Sequence, residues 1–88
     1  MKLVLAIVRD ADAETMVNRL VQGGFRVTRI ASSGGFLRRG SVTLVIGVEA
    51  DQAPAVIAAL KEVSSPSESG EHRVTLFVIN ADQFIQLQ

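Results

Sequence analysis

Four short runs of branched apolar residues are interrupted by two segments of helical periodicity, in the order strand, helix, strand, strand, helix, strand. That order constrains the fold more than anything else in the chain. Lys2 to Val8 is a continuous apolar run, the pattern of a central strand with both faces buried. Ala13, Met16, Val17, Leu20 and Val21 then recur at helical spacing and predict one apolar stripe. Asp10 or Asp12 is positioned to cap that helix, and Glu14 adds negative charge to its first turn. Gly23-Gly24 ends it, because glycine takes the left-handed cap conformation without steric cost.

The second strand is expected from Phe25 to about Ser32, the third from about Ser41 to Val48, and the fourth from Arg73 to Ile79. Asp51 is expected to cap the second helix, with Pro54 in its first turn and Ala53, Val56, Ile57, Leu60 and Val63 facing the core. Ser64 to His72 reads as a small polar loop, and Phe84, Ile85 and Leu87 as a tail that closes the core or a subunit contact. With right-handed crossovers this order gives an α+β, ferredoxin-like βαββαβ sandwich: a four-stranded antiparallel sheet with both helices on one face.

Two helices cover one side of the sheet, yet the strands are apolar on both. Leu3, Leu5 and Ile7 alternate with Val4, Ala6 and Val8, and Val74, Leu76 and Val78 with Phe77 and Ile79. At 88 residues the chain has room for one domain, residues 1–88, and a domain so short buries a modest share of its surface. It has no cysteine and no His/Cys cluster, which leaves oligomerisation as the usual supplement to stability. The simplest cover for the second face is another copy in a closed symmetric oligomer. The apolar run after Met1 is too short to span a bilayer and is followed by acids, so a cytoplasmic protein is expected.

Net charge is zero, which argues against a nucleic-acid coat or a membrane-surface protein. The distribution is more telling. No Asp or Glu occurs between Thr15 and Val48, where Arg19, Arg26, Arg29, Arg38 and Arg39 all fall. Such a segment suits a small anion met at one place. Within it, Ser32-Ser33-Gly34-Gly35 offers backbone N–H groups and residues free to adopt positive φ, a composition that can form an anion nest. Arg26 and Arg29 are three apart on a strand and point to opposite faces, so one of them is expected at a ligand and the other in packing or an ion pair. A nest, an arginine and Phe36 together suit a nucleotide. Composition leaves the alternative open: a hairpin turn with a solvated charge cluster and a hydrophobic plug.

The order of residues adds to this. Met1-Lys2, "AIV" at Ala6 to Val8, Asp10, Asp12, "FRVTRIASSGGFLRRG" from Phe25 to Gly40, Gly47 and "TLFVINADQF" from Thr75 to Phe84 together resemble the P-II-like cyclic di-AMP receptor family of the nitrogen-regulatory P-II superfamily. The resemblance implies a trimeric, P-II-like signal-transduction protein whose sheets pack inward, with cyclic di-AMP in each of three clefts between subunits. Carried over by position, it implies ligand contacts from Arg26 and Thr28 on the second strand. Gly35, Phe36 and Leu37 would surround a base and phosphate, Gly47 would leave space, and Phe77 would help line the cleft. The chain departs from the family pattern at Gly24 and at Ser41, each in the place of an asparagine, with Ser41 still at a ligand position. It also lacks a long insertion between the second helix and the last strand, where only Ser64 to His72 remain.

No Ser/His/Asp or Cys/His set, no metal constellation and no acid in the cationic segment is present to support an enzyme, so a binding protein without catalytic residues, metal or cofactor is expected. His72 reads as a surface residue and Arg38-Arg39 as a solvated pair. Asp10 and Asp12 are accounted for by the helix start. Two alternatives stand beside the cyclic di-AMP reading: a P-II-like protein holding another nucleotide such as ATP or ADP, and a trimeric interaction protein whose nucleotide site has decayed. The expected partners are a cyclic dinucleotide, further copies of the chain and a protein target, with neither nucleic acid nor membrane.

Overall fold

The computed structural model describes residues 1–31, 40–64 and 74–83, together with Ile85 and Leu87. Its elements are β1 (Lys2–Arg9), α1 (Asp10–Gln22), β2 (Arg26–Ala31), β3 (Ser41–Val48), α2 (Ala53–Val63) and β4 (Val74–Asn80), with a 3-10 turn at Ala50–Gln52 leading into α2. All strand pairs are antiparallel and the order across the sheet is β2-β3-β1-β4. This is the α+β sandwich that the element order predicts.

Strand periodicity decides which side chains meet the helices. Val4, Ala6 and Val8 of β1 and Val42, Leu44, Ile46 and Val48 of β3 are buried, and form one cluster with Ala13, Met16 and Leu20 of α1 and Ala53, Val56 and Leu60 of α2. Leu76 and Val74 pack against this cluster from β4, and Val27 from β2. The alternate residues point away from the helices. Across the register, Ile30–Thr43–Ile7–Thr75 and Thr28–Val45–Leu5–Phe77 form rows of this second face. Ile30, Phe77 and Ile79 are among its exposed large hydrophobic residues.

Local chemistry differs from the sequence expectation at both helix starts. Arg9, in extended conformation, occupies the N-cap of α1 with no side-chain cap, so Asp10 and Asp12 lie inside the first turn instead of before it. Both still complement the positive end of the helix, and both hold arginines: Asp12, which is buried, lies 3.5 Å from Arg9 Nε, and Asp10 lies 3.4 Å from Arg29 Nη2. At α2 the N-cap is Gln52, without a side-chain cap, and Asp51 lies inside the preceding 3-10 turn, whose own N-cap is Glu49. The Glu49 carboxylate accepts from the Gln52 backbone N–H, while Gln52 Oε1 accepts the Glu49 N–H at 3.0 Å, a capping box.

The end of α1 follows the glycine pair. Gly24 takes φ +87°, its N–H donates to Val21 O at 3.0 Å, and the Phe25 N–H donates to Leu20 O at 3.0 Å. This is a Schellman closure with Gly24 as the left-handed residue. Val21, expected in the apolar stripe, is instead 57% exposed. It stands one residue, about 100° around the helix, from Leu20, which is buried in the core. Ile85 and Leu87 are also exposed and do not close the core of this chain, while Phe84 lies outside the described residues. Among the described residues no helix is long and apolar enough to cross a membrane.

Candidate functional site

β2 is an edge strand, so its outer side and the second face of the sheet meet in open space beside the α1–β2 corner. There the pairing sets Arg26 opposite Gly47 and Thr28 opposite Val45. The four residues border a cleft of about 520 Å³. Leu3 adds to its floor from β1, and Val21, Phe25 and Val27 bring the α1–β2 corner into its wall, with Met1 at the rim.

Gly47 has a specific part in this geometry. A Cβ built on it would meet only the Met1 Cε methyl, at 3.9 Å, so the space above β3 is open. Its φ is not positive, so no turn or unusual backbone requires glycine there. A glycine inside a strand weakens the strand and marks a place where a ligand or another backbone comes close.

Charge is divided by the pleat. Arg26 lies on the cleft face, whereas Arg29 sits on the helix side, paired with Asp10. The sequence expectation that the two arginines face opposite ways holds, and the structure says which one reaches the cleft. With a guanidinium and a hydroxyl on one wall and aliphatic groups around them, the cleft suits a ligand that joins an anionic group to a flat apolar one.

The remaining expected contacts lie apart. Ser41 is at the opposite end of β3, paired with Arg9, six residues or about 20 Å from Gly47 along the strand. Phe77, on the same face, is three strands from Thr28, about 14 Å away. Neither lines the cleft of a single chain. Gly35, Phe36 and Leu37, with Arg38, Arg39 and Ser32 to Gly34, lie outside the described residues, as do His72 and most of the loop from Ser64. The foot of that β2–β3 connection is described: Gly40 takes φ +83° and its carbonyl accepts the Asp10 N–H at 2.7 Å, tying it to the β1–α1 junction.

The sequence reading missed the apolar part of the cleft: Met1, Leu3, Val21, Phe25, Val27 and Val45. The signal available was the double-sided apolar pattern of β1 and β3, which places Leu3 and Val45 on a face without helices. Val21 and Met1 carry no such signal.

Gly24 is illuminated by the same geometry. Its left-handed φ is the one that glycine adopts freely and asparagine tolerates better than most residues. Nothing lies within 4 Å of a Cβ built there, and Gly24 does not line the cleft. A backbone requirement therefore accounts for glycine at this position.

Comparison with known proteins agrees with the fold. A crystal structure of a functionally unknown protein from Pediococcus pentosaceus is similar over 98% of this chain and 96% of that chain, with 32% sequence identity and a TM-score of 0.80. The sequence model of the cyclic-di-AMP receptor family matches residues 1–87. With a match over nearly its whole length, and with Arg26, Thr28 and Gly47 bordering one cleft, the chain belongs to the cyclic-di-AMP receptor family.

Proposed function

We propose that this chain is a signal-transduction protein that binds cyclic di-AMP in the cleft at the β2 edge, at the boundary between subunits of a P-II-like trimer. The observation that carries the reading is the pairing of Arg26 with Gly47 across β2 and β3, which sets a cation beside an open glycine in a cleft with an apolar wall. Arg26 holds a phosphate by charge-assisted hydrogen bonds, Thr28 adds a hydroxyl, and the space over Gly47 admits a base. Ligand contacts are also assigned to Gly35, Phe36 and Leu37, as the resemblance implies.

Two features support a subunit boundary. Within one chain Ser41 lies about 20 Å from Gly47 and Phe77 about 14 Å from Thr28, so a second copy that brings its own Ser41 or Phe77 to the Arg26–Gly47 end would let one ligand touch them all. The face carrying Ile30, Phe77 and Ile79 leaves large apolar groups exposed, and a symmetric trimer packed on this face covers them. The arrangement binds and positions a ligand; its output passes to a protein target.

Calorimetric titration of cyclic di-AMP, with ATP and ADP as competitors, tests the reading. Saturable binding at one ligand per chain is expected, with affinity reduced roughly 10- to 150-fold by Arg26→Ala, the loss of a hydrogen bond to a charged group. A preference for ATP or ADP, or equal affinity in Arg26→Ala, would overturn it.

A further inference from the structure

We infer that Met1 is a ligand-contacting residue of this cleft, with its thioether lying against a purine ring of the bound nucleotide. The inference rests on the nucleotide-binding reading above and extends it to a residue with no polar chemistry of its own.

Three observations converge on Met1. Its Cε methyl is the nearest atom to the space over Gly47, at 3.9 Å from where a Cβ would stand, so it bounds the opening that the glycine leaves. Its side chain is not part of the core: Met1 is 46% exposed, whereas Met16, the other methionine of the chain, is fully buried. Its backbone is nevertheless held. The Met1 carbonyl accepts the Ala81 N–H at 3.1 Å, and the next residue, Lys2, is bonded through Nζ to Asn80 Oδ1. An exposed apolar side chain on an anchored backbone, at the edge of an open recess, gains little from folding and is available to a ligand.

The chemistry is well matched. A thioether is polarisable and unbranched, adapts to irregular shapes and makes favourable contacts with aromatic rings. Val21, also exposed at the same cleft, extends this apolar rim on the helix side. The rim takes the ring while Arg26 and Thr28 face the charged part.

The test uses the protein carrying [13C]methyl-methionine, which gives two methyl signals in the wild type, from Met1 and Met16. Cyclic di-AMP is expected to shift the Met1 methyl by the ring current of the base and to leave the core Met16 methyl in place. In parallel, Met1→Ala and Met1→Leu are prepared behind a cleavable leader, so that residue 1 can be varied. Met1→Ala is expected to bind roughly 5- to 20-fold more weakly, and Met1→Leu to retain most of the affinity. Wild-type binding with an unmoved Met1 methyl, or with Met1→Ala at full affinity, would overturn the assignment and leave the functional reading intact. No cyclic di-AMP binding by the wild type would overturn both. The wild-type methyl shift decides the matter even if Met1→Ala folds poorly.

Discussion

Replacing Gly47 by valine separates stability from binding. Gly47 lies in the interior of β3 with a backbone that any residue can adopt, and the nearest obstacle to a Cβ is a flexible methionine methyl at 3.9 Å. A glycine there costs the strand roughly 0.5–1 kcal/mol relative to alanine, and β-branched residues suit strands better still. The variant is therefore expected to gain about that much, equivalent to a rise in Tm of roughly 2–8 °C for a domain of this size. The new methyl groups occupy the space over β3 that the ligand needs. Forcing a bound group against them costs roughly 1–3 kcal/mol, as overpacking does, which weakens binding about 5- to 150-fold. Differential scanning fluorimetry and titration calorimetry on the same samples give both numbers. A variant that binds as well as wild type would refute the placement of the ligand over Gly47. One that loses stability would refute the claim that this space is open.

Arg29→Ala should leave ligand affinity unchanged, because Arg29 is on the helix side; its exposed pair with Asp10 is worth less than about 1 kcal/mol in denaturant titrations. Leu44→Ala, by contrast, empties a fully buried position between sheet and helices and should cost about 2–5 kcal/mol in urea unfolding. Gly24→Val should destabilise by roughly 1–2 kcal/mol through its left-handed backbone, and Gly24→Asn by clearly less. Equal losses in thermal melts of those two variants would remove the backbone explanation for glycine at position 24.

The parts of this structure that follow from alternation were legible in the sequence. Period-two patterning separated β1 and β4 into two apolar faces without saying which lies under the helices, and the same rule placed Arg26 and Arg29 on opposite sides of β2. The helix starts were misread because a cap depends on which residue is the last in extended conformation. Arg9 continues β1, so the acids fall one turn position later than their capping chemistry suggested. Asp51 falls inside a 3-10 turn that precedes α2, and Glu49 caps that turn because Gln52, three residues on, reaches back to its N–H. Val21 fits the helical stripe in sequence, but it stands about 100° around the helix from buried Leu20 and becomes a cleft wall. The family string named Arg26, Thr28 and Gly47 without indicating that Ser41 and Phe77 stand a strand length and a sheet width away. That separation depends on register and strand order, which are tertiary properties.

We propose that cyclic di-AMP binds in the cleft between Arg26 and Gly47. Amide NMR of the 15N-labelled protein during titration with cyclic di-AMP tests it most directly. Saturable shifts are expected at Arg26, Val27, Thr28 and Gly47, with little change along the buried side of α2 at Val56 and Leu60. Shifts confined to the helices, or an unchanged spectrum at saturating ligand, would contradict it.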